Sequence, residues 1–97
     1  MGEIRLVKVR YTRSALRQLE EVLSYIEGHS PQGAKKVQMR IFELLDILKA
    51  HPMIGKTTSD PRIRRIVATP YPYVILYQVG AGEIIVRTIR HGARKNN

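Results

Sequence analysis

The stretch RIRRIVATPYPYVILYQVGAGEIIVRTIRHGARK, residues 62–95, decides how this chain folds. Runs rich in β-branched and aromatic residues are broken by Pro70-Tyr71-Pro72 and by Gly80-Ala81-Gly82, which predicts strands at 63–69, 73–79 and 83–91 joined as hairpins. The middle run, Tyr73-Val74-Ile75-Leu76-Tyr77, is apolar at every position, as expected of a strand inside a sheet. Arg62, Arg64, Arg65, Arg87, Arg90, Arg94 and Lys95 face a single acid in this stretch, Glu83. Close like charges raise the free energy of a compact state, so the excess points to a negative partner.

Upstream the period changes from two to 3.6. Thr12 can cap a helix whose Ala15, Leu16, Leu19, Val22, Leu23 and Ile26 share one face, ending near Gly28. Ser30-Pro31 then starts a second helix, serine accepting from an orphan N–H and proline standing where its missing donor costs nothing. Ala34, Val37, Ile41, Leu44, Leu45 and Leu48 carry its stripe to Lys49, and His51-Pro52 stops it. So short a link makes the pair an antiparallel hairpin. Residues 4–11 read as a first strand and 53–61 as a polar loop. The expected fold is α+β: an N-terminal strand, an antiparallel helix hairpin, then a three-stranded antiparallel meander, with the helices packed on one sheet face.

With 97 residues the chain is expected to form a single domain, residues 1–97. The composition, 43% hydrophobic and 26% charged, is that of a folding chain. A net charge of +9 selects an anionic partner without saying whether it is nucleic acid, membrane or protein. Cysteine is absent, which removes disulfides, thiolate metal sites and cysteine nucleophiles. No apolar run approaches the roughly 18 residues of a membrane span, and Met1-Gly2-Glu3-Ile4-Arg5 has no signal-peptide core. A soluble cytoplasmic protein without membrane contact is expected. No metal-ligand spacing appears, and no cofactor is expected.

Strict alternation in the last strand would group Arg87 with Ile85, Ile89 and His91, and Arg90 with Ile84 and Val86. One face packs on the helices, so the other presents arginine beside apolar groups. The plain alternative is a set of solvated arginines keeping sheet edges apart. His91 could act as a general base beside Arg94 at a phosphate, or simply end the strand by a hydrogen bond. His29 and His51 suit helix ends. Tyr25 and Tyr77 suit core or interface packing, whereas Tyr71 and Tyr73 look free to stack on bases. Arg40 and Lys49 read as a solvated helix face. Met39, Phe42 and Ile47 lie off the core stripe of the second helix, a surplus of apolar surface that suits a partner or a homodimer.

The order and spacing of Tyr11-Thr12 with Ala15 and Leu19, Tyr25-Ile26, Leu45 and Leu48 before His51-Pro52 and Gly55, residues 62–66, Tyr73-Val74-Ile75-Leu76-Tyr77, and Ile89-Arg90-His91 with Arg94 resembles the RelE/ParE superfamily of bacterial type II toxins. The resemblance implies a growth-arresting toxin in the bacterial cytoplasm. It also implies a cognate antitoxin whose acidic tail, disordered when free, folds on the toxin, and operator DNA contacted through that antitoxin. Met39, Phe42, Ile47, Tyr73 and Arg87 are the expected antitoxin contacts. Arg62, Arg64, Arg65, His91, Arg94 and Lys95 form the expected toxic surface, with Arg94 matching the family's terminal arginine.

Members of the superfamily either cut messenger RNA in the ribosome or poison DNA gyrase. Where the nucleases carry an arginine after the aromatic residue opening the central strand, this chain has Val74. Their late tyrosine lies beyond the position at which this chain stops, Asn97. The resemblance therefore points to the ParE-like branch: a gyrase-binding toxin with no catalytic residues of its own. The alternatives are a ribosome-dependent endoribonuclease using Arg64, Arg65, His91 and Arg94, and a basic nucleic-acid-binding module.

Overall fold

The computed structural model describes residues 7–92. Strand β1 (Lys8–Tyr11) leads into helices α1 (Arg13–His29) and α2 (Pro31–Ala50), followed by β2 (Lys56–Thr57), β3 (Arg64–Val67), β4 (Tyr73–Gly80) and β5 (Glu83–His91). The sheet order is β1-β5-β4-β3-β2. β1 runs parallel to β5, and the other neighbours are antiparallel. The apolar run at 73–77 is thus central, as its two-sided hydrophobicity requires.

Ser30 joins the helices by itself. Its N–H donates to Ile26 O (2.7 Å), closing α1, and its hydroxyl accepts from Gly33 N (3.0 Å), opening α2 behind Pro31. α1 continues one residue past Gly28, to His29, whose Nδ1 lies 3.0 Å from Tyr25 O. A glycine costs a helix about 1 kcal/mol against alanine and does not by itself end it.

Thr12 locks the hairpin to the sheet. Its hydroxyl accepts from Ala15 N (3.1 Å), capping α1, and donates to Arg87 O (3.3 Å). Its N–H donates to Val86 O (3.0 Å), extending the β1–β5 pairing by one residue. Ala15, Leu19, Val37, Ile41, Leu44, Leu45 and Leu48 then meet Tyr73, Ile75, Tyr77, Ile84, Val86 and Ile89 in one core.

Several expectations change. Residues 56–57, read as loop, add a fifth strand because the Thr58 hydroxyl donates to Asp60 O (2.9 Å) and Ile63 O (3.0 Å) and accepts from Asp60 N (3.2 Å), folding the loop so that β2 meets β3. β3 is shorter than 63–69, since Ala68 N–H turns to Tyr73 O (2.8 Å) and Tyr71 N–H to Ala68 O (2.8 Å). β1 begins at Lys8, and residues 4–6 of the expected strand lie outside the described residues. Arg40 is no solvated lysine-like charge: its Nε donates to Thr69 O (2.7 Å), tying α2 to the β3–β4 turn.

The largest correction is in β5. The register runs Tyr77↔Val86 but Leu76↔Thr88 and Ile75↔Ile89, so one extra residue of β5 is inserted opposite the Leu76–Tyr77 step. A bulge shifts the alternation by one. Ile89 and His91 therefore share the helix-packed face with Ile84 and Val86, and Arg90 falls on the other face with Ile85, the reverse of the strict-alternation reading. Tyr73 likewise turns into the core, 9% exposed, and is not free to stack; Tyr71 packs partly against the same core. Tyr25 stands outside it, 66% exposed, with its ring against His29.

Tyr77, fully buried, reaches past the core to the turn after α2, where its hydroxyl donates to Pro52 O (2.7 Å) and accepts from Gly55 N (2.9 Å). Burial pushes this hydroxyl above its ordinary pKa, in keeping with its role as a donor. A Cβ at Gly55 would sit 2.5 Å from that oxygen. Gly55→Ala is expected to destabilise the fold by about 1–3 kcal/mol through overpacking, and Thr12→Val by about 1–2 kcal/mol through loss of the cap and the bulge bond. Urea titration followed by circular dichroism measures both; an unchanged midpoint for either variant contradicts the role given to that residue.

Candidate functional site

The sheet face turned away from the helices carries the charge. The register places Lys8 and Arg10 of β1, Arg90 of β5, Arg65 of β3 and Lys56 of β2 on it, with Glu83 as the acid among the described strand residues. Arg87, released by the bulge, is exposed and donates from Nη1 to Gln78 Oε1 (2.9 Å) on the same face. Glu83 is already engaged, its Oε1 3.3 Å from Arg10 Nε. Between the charges lie the half-buried Val67 and Leu76, while Val74, 1% exposed, and Ile85, 9% exposed, are buried. The surface is predominantly positive, with Val67 and Leu76 as its partly exposed apolar groups.

The bulge that positions Arg87 is held from α1. Gln18 Oε1 accepts from Ile89 N (2.9 Å), and Thr12 holds the Val86 and Arg87 carbonyls on the other side of the inserted residue. The basic face thus depends on the packing of the opposite one.

The expected toxic-surface residues do not form one patch. Arg65 lies on the basic face. Arg64 points to the other one, where its Nη1 donates to Met53 O (3.0 Å) and Gly55 O (2.7 Å). Arg62 is exposed and clasped to Asp60, Nε to Oδ1 at 3.1 Å and Nη2 to Oδ2 at 2.9 Å. His91 is on the helix-packed face, its ring edge-on to Tyr73 at 5.5 Å. It pairs with Tyr73 while Arg64 pairs with Tyr77, which separates the two by about 13 Å along the strands and about 10 Å across them. Arg94 and Lys95 lie outside the described residues.

The expected antitoxin contacts divide similarly. Met39 and Phe42 are 59% and 45% exposed and lie about 60° apart around α2, whereas Ile47, 39% exposed, is about 140° from Phe42. A groove of about 500 Å³ runs between the helices, lined by Leu23 and Glu27 of α1 and by Ala34, Lys35 and Gln38 of α2, with neither Met39 nor Phe42 in its lining. Tyr73 is in the core, and Arg87 is on the basic face.

Residues 8, 10 and 56 escaped the sequence reading. The alternation Lys8-Val9-Arg10-Tyr11 signals the first two, since it sends both cations to one face; Lys56 had no local signal, because β2 is a two-residue strand made by its pairing with β3 across the folded loop. Among the described residues no cluster of three or more His, Cys, Asp or Glu could hold a metal ion, and no helix there is long and apolar enough to cross a membrane.

A helix hairpin on one face of a mixed sheet, with a basic opposite face, is the α+β arrangement that comparison with known proteins also finds. A solved structure titled as a chromosomal ParDE toxin-antitoxin system from P. aeruginosa shares the fold, with a TM-score of 0.75 over 91% of this chain and 98% of that one at 22% identity. The family model described as the ParE toxin of the type II toxin-antitoxin system parDE matches residues 9–96. Among relatives, Y4kP of Sinorhizobium fredii is 32% identical over 87% of this chain and 86% of its own length. Toxin RelE2 of Caulobacter vibrioides is 34% identical over 92% of this chain and 99% of its own. The chain belongs to the ParE toxin family: it is the toxin of a type II toxin-antitoxin system, with a cognate antitoxin as its partner.

Asp60 offers a check on this geometry. The Arg62 side-chain hydrogen bonds, then its backbone N–H, hold the Asp60 carboxyl down at about 2. A carboxyl depressed in the folded state stabilises it above the unfolded value, near pH 4, and that contribution fades as the pH falls toward 2. NMR titration should therefore place the Asp60 midpoint near 2 and return it toward the ordinary carboxylate range in Arg62→Ala.

Proposed function

We propose that this toxin arrests growth by poisoning DNA gyrase as a protein ligand, and that its antitoxin neutralises it with an acidic segment that folds on the toxin. The observation that carries the gyrase reading is that the described members of the nuclease set do not converge. Cleaving a phosphodiester needs a proton-transfer group and cationic donors within hydrogen-bond reach of one phosphate. Arg64 is spent on carbonyls of the turn after α2, Arg65 points to the opposite face, and His91 sits near the far end of β4. At the position after Tyr73, Val74 contributes a buried methyl surface in place of a cation.

The basic face supports an acidic protein segment as the antitoxin's contact, since charge sets the encounter and the half-buried Val67 and Leu76 add apolar contact. The register places Tyr11, Tyr73 and Tyr77 on the helix-packed face, so the basic face lacks those rings as stacking platforms for bare nucleic acid. The inter-helix groove, and separately the exposed Met39 and Phe42 of α2, support a helical portion of the same antitoxin. Operator DNA would then be reached through the antitoxin.

Induction of the toxin without its antitoxin tests the target. Broken DNA and lost supercoiling activity with intact transcripts are expected. Codon-phased transcript cuts with normal supercoiling would make the protein a ribosome-dependent nuclease instead. For the antitoxin, Arg65→Glu combined with Arg87→Glu is expected to slow association at least tenfold and to flatten its salt dependence, as read by surface plasmon resonance. Unchanged kinetics would remove the basic face from the interface.

A further inference from the structure

The turn after α2 inverts the usual chemistry of a loop. Loops ordinarily expose polar side chains and leave backbone groups to water. Here Met53 and Ile54 are consecutive and 61% and 52% exposed, while the backbone beneath them is tied down from inside the protein. Tyr77 Oη holds Pro52 O and Gly55 N, Arg64 Nη1 holds Met53 O and Gly55 O, and Ile54 N donates to His51 O (3.3 Å). Two exposed apolar side chains on a backbone fixed by a buried tyrosine and an arginine lose little backbone entropy on docking.

The surroundings state the partner's charge. Lys56 follows the turn directly and pairs across the strands with Arg65, both exposed. Like charges directly opposite destabilise a sheet, and neither cation forms an ion pair among the described residues. Carboxylates from outside would relieve that repulsion. The turn also lies at the other end of α2 from the inter-helix groove: Ala34, in the groove, is about 24 Å along the helix from Ala50. The groove is concave and takes in a segment. The turn is itself the inserted part, and its partner must supply the concavity.

We infer that the turn at residues 52–55, with Lys56 and Arg65 beside it, is a rigid plug by which this toxin enters an apolar socket rimmed by carboxylates on its folded target protein. The inference rests on the reading that the toxin acts by binding a protein. A segment that folds only on binding offers a strip, whereas a folded target offers a pocket.

Growth arrest as a function of inducer dose, measured beside the antitoxin dissociation constant, separates target from antitoxin. Met53→Ser with Ile54→Ser is expected to raise the dose needed for arrest at least tenfold, with antitoxin affinity within twofold of wild type and an unchanged melting temperature. The conservative pair Met53→Leu with Ile54→Val should retain arrest. Lys56→Glu, which leaves the turn intact, should weaken arrest at least threefold and keeps the test decisive if the serine pair does not fold. Arrest unchanged in the serine pair and in Lys56→Glu overturns the plug. A parallel tenfold loss of antitoxin affinity in the serine pair, whose residues lie off the basic face, overturns it too and assigns the turn to the antitoxin. Arrest with normal gyrase supercoiling sinks the gyrase reading while leaving the plug standing, provided the variants still part arrest from antitoxin binding. A wild-type chain that arrests nothing overturns both.

Discussion

Thr12 is the point on which the arrangement turns, because one small side chain and its backbone satisfy three demands at once. Its hydroxyl caps α1 through Ala15 N and donates to Arg87 O, and its N–H continues the parallel pairing to Val86 O. Gln18, a turn and a half further along α1, takes the Ile89 N–H. Between these contacts β5 carries one residue more than β4 opposes. The helix hairpin is therefore joined to the sheet by hydrogen bonds at the bulge as well as by apolar packing, and those bonds stabilise an irregularity that would otherwise leave backbone groups unpaired.

The consequence is electrostatic. A chain of net charge +9 has to keep its cations apart or pair them. Arg62 with Asp60, Arg10 with Glu83 and Lys49 with Asp46 are paired locally, and Arg40 and Arg64 are bound to main-chain carbonyls. The bulge sends Arg87 outward and puts Arg90 on the helix-free face, where Arg65 and Lys56 also lie. Arg65, Arg87 and Lys56, which form no ion pair among the described residues, thus lie on the face and edge turned away from the helices.

Arg64 and Tyr77 show how an apparent site residue can serve the fold, and the fold a surface. An arginine in a basic strand reads as part of a ligand site, yet its guanidinium supports the turn after α2 together with a buried phenol. What reaches solvent is the pair Met53 and Ile54, in a stretch whose Gly, Thr, Ser and Asp content reads as an ordinary polar loop. Gly55 is required there by a close approach, since the Tyr77 ring lies where any Cβ would go.

The sequence by itself determined the two helices and their boundary, the central position of β4, the apolar stripe that forms the core, and the basic excess. Each of these follows from neighbours close in the chain: the Ser30-Pro31 pair, the 3.6 period, an uninterrupted apolar run. It also carried the resemblance to the toxin superfamily that the family match bears out. Only the tertiary structure decided which face each arginine takes, that Lys56 belongs to the sheet, and that a groove opens between the helices. The physical reason is that a single inserted residue reverses the facing of everything beyond it, and whether it is inserted depends on side chains such as Thr12 and Gln18, some seventy positions away.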